Sequence, residues 1–185
     1  MDQELQGIPS PFEIASLKRI GVDPTNLGCL MIDASIPDVS NILPASWELY
    51  FNNPKVQHVS GFQKAGHVTL LHGFIHPAYR IKEAIAEVLK DWTPPDMVQT
   101  ATYEVFTNEI DGVRYSCVVA LLHDKEFYEA NARLCLLPHI HTQLRYRPHV
   151  TLAYVKPEKA QDAVAAIKDK YPVMGFGIGS LNYGH

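Results

Sequence analysis

The chain has 185 residues, of which 46% are hydrophobic and 19% are charged. It is therefore long enough to bury a normal core and too apolar to be disordered. Its formal net charge of −4 gives no basic surface for duplex nucleic acid, although a small anionic ligand remains compatible with it. The cysteines Cys29, Cys117 and Cys135 are widely spaced in apolar runs, which indicates buried free thiols in a reducing compartment.

The N-terminal stretch shows no targeting or anchoring pattern. Residues Met1 to Ser10 include acidic side chains and no positively charged region followed by an apolar one. No apolar run reaches the roughly 18 residues that a membrane span requires. We therefore expect a soluble, cytoplasmic protein with no membrane partner. Residues 1–26 contain three prolines and little periodicity, which predicts an arm with at most one short turn.

In the first half of the chain, apolar runs predict strands at 28–33 and 68–74. The segment 47–51 is interpreted as a short strand or a helical turn, and 61–66 as a polar loop. Apolar residues recur at helical spacing from Ile81 to Trp92, which predicts an amphipathic helix that Pro94 and Pro95 end.

In the second half, a long strand at 97–107 is followed by an Asp111-Gly112 hairpin turn and a return strand at 113–122. Helices are predicted at 124–137 and 157–171, with a motif strand at 150–155 between them. The glycine-rich stretch at 173–183 predicts a final strand lying close to another backbone. Interspersed helices with hairpin signals indicate an α+β fold, in one domain spanning residues 1–185.

One tetrapeptide occurs twice, as His67-Val68-Thr69-Leu70 and as His149-Val150-Thr151-Leu152. Each copy begins a predicted strand and is followed by a predicted helix. Because side chains alternate along a strand, each copy directs one imidazole and one hydroxyl to the same face. The repetition in two matching half-chains predicts one site built across a pseudo-twofold axis.

Two histidines facing each other across a cleft can carry out general acid–base catalysis without a metal. One neutral imidazole takes a proton from the attacking oxygen, and the other, protonated, donates to the leaving oxygen. Threonine hydroxyls can hold the non-bridging oxygens of a phosphate. This division of labour suits cleavage of a phosphodiester. The sequence leaves open which histidine is the acid.

The paired His-Val-Thr-Leu strands resemble the signature of the 2H phosphoesterases. The resemblance implies a bilobal α+β fold with two antiparallel sheets, flanking helices and a central cleft, acting without metal or cofactor. Carried over to this chain, it implies that His67, Thr69, His149 and Thr151 form the catalytic tetrad.

The residues after each motif, 70–74 and 152–157, together with the first strand at 28–33, resemble phage-encoded members of this superfamily. These include the anti-CBASS nucleases, which hydrolyse cyclic oligonucleotide messengers of bacterial immunity. The resemblance implies a small cyclic nucleotide or oligonucleotide substrate, and the host bacterial cytoplasm as location for a phage protein. Enzymes acting on 2′,3′-cyclic phosphates of RNA ends are the main alternative. A second alternative is a module that binds a nucleotide without turnover.

Cationic and aromatic residues near the motifs are candidates for substrate contact. Lys64, Arg145 and Arg147 precede the motif strands and could clamp phosphates. Trp47 and Tyr50 could stack on a base. Strand alternation places Tyr154 on the face opposite His149, in the core. These substrate-binding candidates are Lys64, Arg145, Arg147, Tyr50 and Trp47.

A metal site is the remaining alternative for the histidine-rich segment. His139 and His141 precede His149 and could join it as ligands. The segment contains no acidic or cysteine ligand, and the repeat already accounts for His149. We therefore predict no metal site.

Overall fold

The computed structural model describes residues 11–23, 26–50, 60–110, 113–142 and 145–184. They form an α+β fold with a seven-stranded antiparallel sheet of order β3-β7-β1-β2-β6-β5-β4. The strands are β1 (Gly28–Ala34), β2 (Gly66–Phe74), β3 (Met97–Gln99), β4 (Thr102–Ile110), β5 (Val113–Leu121), β6 (His149–Val155) and β7 (Gly175–Gly184). The helices are α1 (Pro11–Arg19), α2 (Lys82–Val88), α3 (Lys125–Leu134) and α4 (Ala160–Lys170), and short 3₁₀ turns connect some elements.

One face of the sheet carries the main core, and helices α2, α3 and α4 cover it. Each helix contributes fully buried apolar side chains to this core, where they meet the strand residues that point the same way. The opposite side, which we call the open face, carries a smaller apolar cluster on β4 and β5. That cluster consists of Phe106, Cys117, Val119 and Leu121, with Tyr154 packed against it.

The two predicted sheets are replaced by one. β2 and β6 are antiparallel neighbours that pair at Val68 and Val150, and this contact joins the two halves. The edge strands β3 and β4 are connected by only Thr100 and Ala101, whose backbone N–H groups donate to Met174 and Leu121. Two residues span less than about 10 Å, so the sheet curls until its two edges come together. The same break divides the single strand predicted at 97–107.

Beyond Val68 and Val150 the two motif strands diverge, and each is then paired by the segment that precedes the other. The backbone of Gln63, just before β2, donates to Leu152 of β6. The backbone of Ile140, which precedes β6, donates to Gly73 of β2. Each half of the chain therefore supplies a backbone segment that pairs with the motif strand of the other half.

Both motif strands contain a β-bulge at the same place. Against β1, residue Leu70 is an extra residue of β2, because Leu30 pairs with Leu71 while Met31 pairs with Thr69. Against β5, residue Leu152 is likewise extra in β6. A bulge changes which face the following residues occupy.

Most predicted elements are present with shifted ends. The N-terminal arm differs, because it contains the nine-residue helix α1 where at most one turn was predicted. A proline at the first helical position, Pro11, favours that start. The Asp111-Gly112 turn lies outside the described residues, although Ile110 and Val113 on either side are paired. Among the described helices, none is long and apolar enough to cross a membrane.

Candidate active site

The four motif side chains lie on the open face of the sheet, at the contact between β2 and β6. Val68 and Val150, which are direct partners, are fully buried on the helix-covered face. Their neighbours along each strand therefore point the other way. Extending the pairing of Val68 with Val150 by one residue in each direction sets each histidine opposite the threonine of the other strand: His67 opposite Thr151, and Thr69 opposite His149.

The tautomer of His149 is fixed by the backbone. Its Nδ1 atom lies 2.7 Å from the carbonyl oxygen of Arg147. A carbonyl oxygen can only accept, so Nδ1 carries the proton and the neutral ring presents an unprotonated Nε2. This is the form that a general base requires.

The surroundings of His149 favour the neutral ring. Burial lowers its pKa below the ordinary 6.5, the bond to the Arg147 carbonyl raises it, and the charges of His67 and Arg147 lower it further. The ring of Phe106 meets His149 edge-on, with centroids 4.9 Å apart. The pairing of Val68 with Val150 places the two imidazoles on the same face of neighbouring strands.

His67 is more exposed than His149, and burial lowers its pKa as well. Its direct partner across β1 and β2 is Asp33, whose negative charge raises the pKa of His67. The two histidines therefore differ in environment, since one faces a carboxylate and the other an arginine.

The threonines are held by different neighbours. The hydroxyl of Tyr146 donates to the backbone carbonyl of Thr69 over 3.0 Å, which anchors β2 to the segment before β6. Burial raises the pKa of the neighbouring Cys29 thiol to about 12, and the hydroxyl of Thr69 partly opposes this rise. Thr151 hydrogen-bonds the phenol of Tyr154.

A cavity of about 220 Å³ opens beside Thr69 and His149. Its wall includes His72, whose orientation is set by Thr142. The Thr142 hydroxyl donates to the His72 carbonyl over 3.1 Å, so it accepts from Nδ1–H of that ring at 3.3 Å, and Nε2 of His72 is left as an acceptor. The lining residues are Thr69, Leu71, His72, Asn131, Cys135, Ile140, His141, Thr142, Tyr146, Arg147 and His149.

Of the cationic candidates, only Arg147 lines the cavity. Its guanidinium pairs with Glu104 and lies over the ring of Phe106, 5.1 Å from the centroid. Lys64 is exposed; hydrogen bonds from Ser40 lower the pKa of Asp38, and the charge of Lys64 adds to this effect. Arg145 is also exposed. Ligand contact by these cations remains a prediction.

The aromatic candidates Trp47 and Tyr50 do not line the cavity. Trp47 packs against the core, with the ammonium of Lys159 lying 5.6 Å from the centre of its ring. Tyr50 is 66% exposed and hydrogen-bonds Glu48. A role for either in stacking on a base stays a prediction.

The placement of Tyr154 corrects the prediction from strand alternation. Because Leu152 is an extra residue of β6, Tyr154 lies on the open face. There it packs on Tyr115, Thr151 and the cluster around Phe106. His72 follows the bulge of β2 in the same way and lines the cavity together with Thr69. Gly73 lies at a second register shift of β2, after His72, and so gives no sign of the bulge at Leu70.

The metal site considered for His139, His141 and His149 lacks a set of ligands among the described residues. The rings of His139 and His141 are 4.7 Å apart, but Nδ1 of His139 is bonded to the Leu137 carbonyl. Within the described parts of the chain, no group of three or more His, Cys, Asp or Glu side chains could hold a metal ion.

A comparison with protein families agrees with the geometry. Residues 59–182, about two thirds of the chain, match the model of the 2'-5' RNA ligase superfamily, and both motifs lie inside that range. No curated protein matches the chain significantly. Membership of this family indicates phosphodiester hydrolysis or ligation, as expected of a phosphoesterase. The chain belongs to the 2'-5' RNA ligase superfamily of 2H phosphoesterases.

Proposed function

We propose that the protein is a metal-independent phosphodiesterase that hydrolyses cyclic nucleotides. The observation that carries the proposal is the tautomer of His149, whose unprotonated Nε2 belongs to a ring opposite Thr69. An imidazole fixed in this form, beside a second imidazole and two hydroxyls, supplies a base, an acid and a phosphate cradle.

In the proposed reaction, His149 is the base and His67 is the acid. Nε2 of His149 takes a proton from the attacking water while the oxygen of that water bonds to phosphorus. The bond from phosphorus to the leaving oxygen breaks, and that oxygen takes a proton from the His67 imidazolium. Exchange with solvent then restores both rings. Thr69 and Thr151 bind the non-bridging oxygens throughout.

The first substrate class is the 3′-5′ bonds of cyclic di- and trinucleotide immune messengers, as in phage anti-CBASS nucleases. The resemblance of the residues after each motif supports this class. The second class is 2′,3′-cyclic phosphates of RNA ends or single nucleosides. It is favoured by the cavity of about 220 Å³, which is smaller than the roughly 300–1,000 Å³ of ordinary ligand pockets.

Product analysis in the presence of EDTA tests the proposal. The panel contains 3′,3′-cyclic dinucleotides, a cyclic trinucleotide, 2′,3′-cyclic AMP, and RNA fragments ending in a 2′,3′-cyclic phosphate or a 5′-hydroxyl. Linearised cyclic oligonucleotides support the first class, and opened 2′,3′-cyclic phosphates alone support the second. Joined RNA fragments would instead identify a ligase.

Matched variants separate turnover from binding. His67→Ala and His149→Ala should each reduce kcat by about 10²–10⁴-fold. His123→Ala, an exposed histidine that does not line the cavity, should leave kcat unchanged. If the wild-type protein binds a nucleotide tightly but turns over no member of the panel, the tetrad is a binding site and the proposed reaction is wrong.

A further inference from the structure

An exposed carboxylate stands beside the tetrad with no ion-pair partner. Asp33 is the direct neighbour of His67 in the pairing of β1 with β2. It is exposed, and none of the ion pairs among the described residues involves it. Opposite residues of an antiparallel pair have Cβ atoms about 4.5–5.5 Å apart, so the carboxylate lies next to the imidazole.

This carboxylate is unfavourable for holding a phosphate. A phosphodiester carries a negative charge, and Asp33 places a second one close to where the tetrad would bind it. Removing a negative charge from such a site should strengthen substrate binding. A residue that weakens substrate binding can still raise the rate, provided that it stabilises the transition state by more than it destabilises the bound substrate.

We propose that Asp33 is a positioning residue of the reaction, whose carboxylate holds His67 in the protonated, proton-donating form. The inference rests on the proposed function, in which His67 is the acid. The neighbouring carboxylate stabilises the imidazolium more than the neutral ring, and it does so without contacting the substrate.

The positively charged groups around the site act in the opposite direction. From β6, His149 faces His67, and any positive charge on it disfavours a second one. Arg147 precedes β6, and its charge is paired with that of Glu104. On the other side of β1, the neighbour is Gly179 of β7, whose missing side chain leaves the Asp33 carboxylate uncovered. Asp33 is thus the group that favours the imidazolium.

The first arm of the test measures His67 directly. The pKa of its imidazole is followed by NMR in the wild-type protein, in Asp33→Asn and in Asp33→Glu. We expect a lower value in Asp33→Asn, recovery in Asp33→Glu, and a smaller difference at 1 M salt, where the Debye length is about 3 Å. The pKa of His149 should be unchanged or slightly altered. An unchanged His67 pKa in Asp33→Asn would overturn the inference even if the protein turns over no substrate.

The second arm measures kinetics on whichever substrate the wild-type protein hydrolyses. In Asp33→Asn we expect KM to fall roughly threefold, the factor for two unit charges roughly 7 Å apart in water. At the same time kcat should fall at alkaline pH, where His67 loses its proton sooner. Asp33→Glu should restore the alkaline limb. Asp91→Asn, an exposed carboxylate that follows α2, removes the same charge and should change neither quantity.

The outcomes distinguish a failure of the inference about Asp33 from a failure of the proposed function. A loss of kcat that is equal at every pH, with KM unchanged, would mean that Asp33 is merely structural. A lowered His67 pKa with no detectable turnover by the wild-type protein would support the coupling of the two residues and overturn the proposed function.

Discussion

Leu70 and Leu152 occupy the same position in two different strands, and each is the extra residue of a β-bulge. Both follow the threonine of their motif directly. The bulge returns the next polar residue, His72 in one half and Tyr154 in the other, to the face that carries the tetrad. The halves therefore repeat a local irregularity as well as a sequence, and this irregularity decides which side chains surround the site.

The assignment of acid and base predicts how the histidine variants respond to the leaving group. A nitrophenolate leaves without protonation, whereas a ribose oxygen requires a proton from the acid. His67→Ala should therefore lose much less activity on a nitrophenyl phosphodiester than on a dinucleotide. His149→Ala should lose about 10²–10⁴-fold on both, because the attacking water still requires a base.

Steady-state kcat/KM for both substrates, measured for the wild-type protein and the two variants, provides the comparison. The reverse pattern, with His149→Ala rescued by the nitrophenyl substrate, would show that the roles are exchanged. Equal losses for both variants on both substrates would contradict a division into acid and base.

The second prediction concerns the backbone at Gly73, which has a φ of +119°. A Cβ atom there would lie 2.4 Å from the carbonyl oxygen of Ile140, which belongs to the wall of the cavity. Gly73→Ala should lower the free energy of unfolding by about 2–4 kcal/mol, through backbone strain and this clash. It should also reduce activity, because the clash displaces the segment that holds Thr142.

Gly175→Ala is the matched control, since its nearest neighbour would be 3.6 Å away and its φ is not positive. We expect a change within about 0.5 kcal/mol. Urea unfolding of both variants at neutral pH provides the measurement. Equal stability of the two variants would contradict the strained backbone at Gly73.

The third prediction concerns stability at mildly acidic pH. Burial lowers the pKa of His67, His72 and His149 below the ordinary 6.5. Between the lowered values and 6.5, the unfolded chain binds more protons than the folded one. The free energy of unfolding should therefore fall as pH falls through 6.5, and then level off below the lowered pKa values.

Urea unfolding at several pH values from 8 to 5.5 tests this dependence, in a window above the titration of ordinary carboxyl groups. His72→Gln removes one titrating group and should make the dependence shallower. His76→Gln, at an exposed position, should leave it unchanged. Stability that rises on acidification would contradict the predicted direction.

The sequence predicts the motif strands, the open face of the tetrad and the family, because these depend on local alternation and on a repeated tetrapeptide. Strand alternation fails at Tyr154 and His72, since a bulge is a property of a pair of strands. Nothing in the local pattern around Leu152 distinguishes an extra residue from a paired one.

The cavity could not be predicted for a different reason. It depends on contacts between distant parts of the chain, such as His72 with Thr142 and Phe106 with His149. The tautomer of His149 depends on the local path of the backbone from Arg147 to His149, which the residue types do not specify. Asp33 is another case, because it becomes a neighbour of His67 only through the register of β1 with β2. Sequence spacing carries no information about such cross-strand pairs.

The exchange of segments between the halves ties the two motif strands to each other. The segment before β2 is bonded to β6, and the segment before β6 is bonded to β2. Opening the molecule like a hinge would break both sets of backbone hydrogen bonds at once. We therefore expect the two halves to move together when substrate binds, since each holds a backbone segment that comes before the motif strand of the other.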